Sequence, residues 1–189
     1  YRSFQDVVDA AKRAPDTINF ASSSVGGLPH LATALLQEQG GFRLVHVPYR
    51  GTVPAMQDAL SGAVPLFIAA AVALRQPIHA GQLRPLGVTT RLESRHVPGT
   101  KSFAEQGFAN FEAPTWFGML ARSGTPAPLV RQMNEALVQV LNEPAVKARI
   151  EEQGCDIVAS TPPQYGQFLA GEIEKWGRVI RANGITADS

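Results

Sequence analysis

Short strand-like runs alternate with helical patterns along the whole chain, and this alternation restricts the fold more than any other feature of the sequence. Residues 18–21, 42–47, 64–68, 86–89, 116–121 and 155–158 are apolar stretches of strand length, most of them bounded by turn residues. Between them lie helical patterns with their own start and stop signals. Ser3 is placed to cap a helix burying Phe4, Val7, Val8 and Ala11, which Pro15 helps to end. A second helix has Pro29 in its first turn, turns Leu31, Leu35 and Leu36 inward, and stops at Gly40-Gly41. Thr52 is placed to cap a short helix through Leu60, ended by Gly62, and residues 75–80 and 103–106 read as helical up to Gly81 and Gly107. Thr125 as cap and Pro126 at the first helical position open a helix with Val130, Met133, Leu137, Val140 and Leu141 as its apolar stripe. Pro144 opens another, stopped by Gly154. Thr161-Pro162 begins the last, burying Tyr165, Phe168, Leu169, Ile173, Trp176 and Ile180. Strands separated by crossover helices imply an α/β fold with a mainly parallel sheet and flanking helices.

Composition removes several function classes. The 189 residues are enough to bury a sizeable core, and 44% hydrophobic with 17% charged residues is a globular balance. Seventeen Lys and Arg against sixteen Asp and Glu leave a net charge of +1 without a basic block, so nothing electrostatic favours nucleic acid or an anionic membrane surface. The longest apolar run, residues 63–74, is interrupted by Pro65 and falls short of the roughly 18–20 residues a spanning helix needs. The single cysteine, Cys155, precludes an internal disulfide and any cysteine cluster for a metal; on a predicted strand it reads as a buried small hydrophobe. His30, His46, His79 and His96 have no metal-ligand spacing, and no motif of a phosphate loop, dinucleotide loop, zinc peptidase or serine-hydrolase elbow is present. No metal and no cofactor are expected.

In parallel α/β sheets, ligands collect where strands run into helix N-termini, and two loops satisfy that rule. The first is Ala21-Ser22-Ser23-Ser24-Val25-Gly26-Gly27, leading to His30. Its small residues let a ligand approach the backbone, several amides can converge, and the helix dipole favours an anion. The same residues also suit an ordinary turn and helix cap. The second is Tyr49-Arg50-Gly51-Thr52, where Arg50 either pairs with an anionic ligand or is a solvated loop cation. Residues 69–71, all alanine, offer no side-chain donor after the third strand, and Trp116 and Trp176 read as core residues. A catalytic Ser22 or Ser23 with His30 would make a small hydrolase or transferase, but no orienting carboxylate lies nearby in sequence.

These loops, in this order, resemble the substrate-binding receptors of tripartite tricarboxylate transporters, the Bug family. The resemblance is carried by Ile18-Asn19-Phe20-Ala21-Ser22-Ser23, His30-Leu31, Val45-His46-Val47-Pro48-Tyr49-Arg50-Gly51, the run from Ile78 to Thr89, Trp116-Phe117-Gly118 and Gly124-Thr125-Pro126. It covers essentially the whole chain. It implies a non-enzymatic periplasmic receptor of the type II periplasmic-binding-protein architecture, whose two lobes clamp a small carboxylated solute and present it to a membrane permease. By the same resemblance Tyr1 falls partway along the protein, so that the signal peptide and the opening half of the first lobe are expected to be absent. Residues 1–112 then form the second, ligand-clamping lobe and residues 113–189 return to the first. An incomplete first lobe would leave residues 116–121 and 155–158 without sheet partners, as an exposed apolar patch or a surface for self-association.

The family's contacts map onto Ser22, Ser23, Ser24, Gly26, Gly27 and His30, with Tyr49, Arg50, Gly51 and Thr52 beside them. Ser24 stands where the family usually has Gly, and Gly27 where it has Ser or Thr. Pro65 replaces a common Asp, and Ala69-Ala70 occupies a place that often carries another. Loss of those carboxylates points away from a ligand ammonium and toward a plain or aromatic carboxylate; a chain that folds without binding anything is the remaining alternative.

Overall fold

The computed structural model describes residues 1–91, 94 and 96–186. Of the polar loop expected over residues 91–98, Leu92, Glu93 and Arg95 lie outside them. The chain divides into two compact units, one of Tyr1–Thr115 with Arg178–Ser189, the other of Trp116–Gly177.

The first unit is built around a parallel sheet of β1 (Asn19–Ser22), β2 (Val45–Pro48) and β3 (Leu66–Phe67) in the order β2-β1-β3. Pairing is Phe20 with His46 and Ala21 with Val47 on one side, and Phe20 with Leu66 and Ala21 with Phe67 on the other. The crossovers are α2 (Leu28–Gly40) and α3 (Thr52–Ser61), with α1 (Phe4–Arg13) before the sheet and α4 (Ala71–His79) after it. Alternation along β1 sends Ala21 to one face, where it packs with Ala55 of α3, Val64, Tyr49 and Phe67. Phe20 goes to the other, in ring contact with His30 of α2. Ser3 caps α1 through a reciprocal pair with Asp6, and Phe4, Val7, Val8 and Ala11 are buried as expected. Phe4 meets Phe42, Phe103 and Phe108 edge-on in one aromatic cluster. The last turn of the C-terminal helix closes this unit, burying Val179 and pairing Arg178 with Glu38.

Several expected elements are shorter or different. Phe42 and Leu44 are buried before β2 begins, and β3 is two residues long, with Pro65 just outside it. Residues 86–89 contribute a single parallel bridge, Val88 to Ser102, in place of a strand. The expected helix at residues 103–106 is a 3-10 turn, Ala104–Gln106, ended by the left-handed Gly107. α4 starts at Ala71, earlier than the polar residues suggest, because Ala-Val-Ala-Leu favours helix and Pro77 is tolerated near its end.

In the second unit, α5 (Ala127–Leu141), α6 (Pro144–Glu152) and most of α7 (Pro162–Ala182) are present. Pro126 itself is the N-cap of α5, not Thr125. Residues 116–121 and 155–158 are not strands: they have no ladder partner among the described residues. Phe117 and Val158 are each 84% exposed, and Met119 and Leu120 are nearly as open. The stripes of α5 and α7 share this exposure at Met133, Val140, Phe168 and Ile173, contrary to the burial expected of them. Cys155 is half-buried on irregular backbone. Trp116 is partly exposed but anchored; its indole and that of Trp176 both donate to Glu172 Oε2, at 3.1 and 2.9 Å. Burial pushes the Glu172 carboxyl up, but these donors and Lys175 outweigh it and hold it below its ordinary range.

Candidate functional site

α2, α3 and α4 all begin at the carboxyl edge of the sheet, so three helix N-termini face the side where β1 runs into the Ser-Gly bend. In the order β2-β1-β3 the connection from β1 runs to one side and the connection from β2 crosses back to the other, the reversal of strand order beside which open α/β sheets bind ligands.

The two loops named by the sequence are joined there. Tyr49 N–H donates to the Ser22 carbonyl at 2.9 Å, in register with the β1–β2 ladder, and Gly51 N–H to the Ser23 carbonyl at 3.1 Å, one residue out of that register. The Ser24 carbonyl accepts from the Ser22 hydroxyl at 3.0 Å. Three successive carbonyls are thus held by the protein. In a trans peptide the N–H points opposite to the C=O, so the amides of Ser23, Ser24 and Val25 are turned away from these partners. Among the described residues none of the three has a backbone acceptor. The same is true of Gly27, Leu28 and His30 at the start of α2, whose N-cap, Gly27, has no side chain to satisfy them. A run of unspent N–H groups at a helix N-terminus is the arrangement that receives a carboxylate.

The side chains divide by role. Ser22 is fully buried and its hydroxyl lies 2.7 Å from His46 Nε2. A carbonyl only accepts, so the Ser22 proton goes to Ser24 and His46 Nε2–H donates to Ser22 Oγ. His30 Nδ1 accepts from Gly26 N–H at 3.1 Å, leaving its proton on Nε2. The two rings stack with centroids 3.7 Å apart, and Phe20 stacks on His46 at 4.9 Å. Burial lowers the pKa of both imidazoles; with His30 beside it, His46 is pushed down to about 4. Burial thus favours the neutral form of both rings.

Ser23 is half-buried and Ser24 exposed, and neither hydroxyl has a partner among the described residues. A Cβ on Gly27 would come 2.3 Å from Ser24 Oγ, so the Ser24 hydroxyl occupies the space that a side chain at the N-cap would need. Tyr49 turns its ring into the α3 face and donates its hydroxyl to Asp58 at 2.7 Å; that bond holds the phenol above its ordinary pKa. Gly51 is the N-cap of α3 at φ 110° and ψ 172°, a conformation essentially confined to glycine. Thr52 therefore occupies the first helical position and not the cap. Arg50, between two residues bonded to the bend, is exposed and has no ion pair among the described residues.

A Ser22–His30 or Ser23–His30 pair is not formed: the ring on Ser22 belongs to His46, and a buried hydroxyl whose proton is committed to a carbonyl is no nucleophile. His46 is the residue that sequence reasoning passed over. Its signal was the parallel register, which sets it opposite Phe20, on the face that Phe20 shares with Ser22. Among the described residues no group of acidic, His or Cys side chains could hold a metal ion.

The family model described as "Tripartite tricarboxylate transporter family receptor" matches residues 1–185. A UPF0065 protein from the tcbD-tcbE intergenic region of Pseudomonas sp. strain P51 is 33% identical over 95% of this chain and 54% of its own length. Protein BugT of Bordetella pertussis is 32% identical over 96% of this chain and 56% of its own. The chain thus spans about half the length of these curated relatives. Among solved structures, an R. palustris protein with adipate superposes with a TM-score of 0.82 at 28% identity, covering 98% of this chain and 62% of that one.

Proposed function

Because the chain belongs to the tripartite tricarboxylate transporter receptor family, we propose that it captures a small carboxylated solute at the carboxyl edge of β1 and passes it to the membrane permease of such a transporter, in the bacterial periplasm. The observation that carries this is the run of Ser23, Ser24 and Val25 amides, left without acceptors while their partner carbonyls are tied down. The amides of Gly27, Leu28 and His30 extend the same anion-receiving surface, the hydroxyls of Ser23 and Ser24 add donors, and Arg50 and Thr52 stand on the adjoining loop. Ser22, Gly26, Tyr49 and Gly51 serve by holding the backbone in place.

Residues 1–112 are the clamping lobe in this proposal and residues 113–189 the return to the other; the division of the chain near Thr115 supports the first boundary, whereas Arg178–Ser189 group with the first unit. The solute is a plain or aromatic carboxylate and not an amino acid, since Pro65, Ala69 and Ala70 offer no carboxylate to an ammonium group at the third strand. The R. palustris relative solved with adipate supports that class. The exposed Phe117, Met119, Leu120 and Val158 form a surface through which the chain self-associates.

A thermal-shift screen with adipate, malate, benzoate and glutamate tests the reading. A true ligand at a hundredfold excess over its Kd stabilises by about 2.7 kcal/mol, a displacement of several degrees. Stabilisation by one of the three plain acids and not by glutamate is the expected result. No shift with any carboxylate overturns the proposal.

A further inference from the structure

The direction of the bend's amides depends on one side chain outside both loops. His46 stands on β2 opposite Phe20, its ring packed against both Phe20 and His30, and its Nε2–H donates to the buried Ser22 hydroxyl. A serine hydroxyl rotates to suit its neighbours; with a donor occupying its lone pair, its own proton is turned onto the Ser24 carbonyl. That bond sets the plane of the Ser24–Val25 peptide and hence the direction of the Val25 N–H. The next peptide is fixed from the other ring, because Gly26 N–H donates to His30 Nδ1.

We infer that His46 is the positioning residue of this bend: through the Ser22 hydroxyl its Nε2–H fixes the direction in which the Ser24–Val25 peptide offers its N–H to the solute. The inference rests on the reading that the bend meets the solute. It adds that solute affinity is set by a residue that need not touch the solute. A donor at the Nε2 position is required, so Gln, whose terminal N–H reaches that far, serves, whereas Leu of similar bulk does not.

The test compares the full chain with His46→Gln, His46→Leu, Ser22→Ala and the His46→Leu/Ser22→Ala double variant. Adipate is the calorimetric probe, and nitrogen-15 NMR reports the histidine tautomer and the Val25 and Gly26 amides. The proton is expected on Nε2 of His46 in the wild-type protein. His46→Leu lowers adipate affinity about tenfold, the loss of one directed hydrogen bond, and displaces the Val25 and Gly26 amide resonances. His46→Gln restores both, and Ser22→Ala adds nothing to His46→Leu because the two act through one bond. A proton on Nδ1, amide resonances unmoved in His46→Leu, additive losses, or a Gln variant as impaired as Leu overturns the inference. Should the wild-type chain bind no adipate, the binding proposal loses that ligand, while the tautomer and the amide resonances still decide the role of His46. Should His46→Leu fail to fold, the wild-type tautomer together with the amide resonances of His46→Gln and Ser22→Ala decides it.

Discussion

The imidazole rings of His30 and His46 lie face to face, 3.7 Å between centroids, although one stands on a helix and the other on a strand. Neither can charge without desolvation cost, and charging one opposes charging the other. In the unfolded chain both take up a proton near pH 6.5, whereas His46 in the fold does so only near 4. The unfolded state therefore binds more protons in that interval. The pair's contribution to stability is complete above 6.5 and is lost as the pH falls toward 4. Melting temperature followed against pH is expected to decline across this window in the wild type, and to be flatter in His46→Phe. The lowered carboxyls of Asp6, Glu105 and Glu172, with ordinary values of 3.8 and 4.5, act lower on the scale. A profile level from 6.5 down to 4.5 would count against the buried pair.

Arg50 is exposed, so its attraction for an anion is modest and screened by salt. Arg50→Gln is expected to weaken adipate binding about two- to fivefold in low salt, with the difference shrinking at high salt. Calorimetric titrations at two ionic strengths check this. A salt-independent loss would indicate that the side chain acts by packing.

Gly51 combines a backbone conformation closed to other residues with a hydrogen bond to the Ser23 carbonyl. Gly51→Ala is expected to cost about 1–3 kcal/mol of stability, read as a lower urea midpoint. It should also weaken adipate binding, because the bend loses a tether. Retention of wild-type stability would mean that the loop has another low-energy arrangement.

Phe117 and Leu120, 84% and 74% exposed, are the most open large apolar residues of the segment that follows Trp116. Replacing both by Ser is expected to lower the average mass seen by sedimentation at high protein concentration, without loss of helical signal. Identical sedimentation of wild type and variant would remove self-association through this face.

The order of elements from α1 to α3 was legible because periodicity and end signals largely agree there: Ser3, Pro29, Gly41 and Gly62 stand at the ends they signal, while Thr52 gives up the cap of α3 to Gly51. The bend was legible for the same reason, since a strand, a small-residue turn and a helix start follow one another without ambiguity. Residues 116–121 did not become the strand their composition suggests. They have strand composition, but a strand is a relation between two backbones, and no partner is present among the described residues. The apolar stripes of α5 and α7 were recognisable as stripes, but periodicity does not supply the surface that would cover them. His46 was hidden because its neighbours Ser22 and His30 come from distant positions, and only the strand register unites them.

Because Tyr49 N–H is bonded to the Ser22 carbonyl and Gly51 N–H to the Ser23 carbonyl, the two loops are tied to each other and are not two independent flaps. Moving either means breaking bonds held by the other. The shape of the bend is thus set by both loops at once, and substitutions in one will be felt as changes of shape in its neighbour.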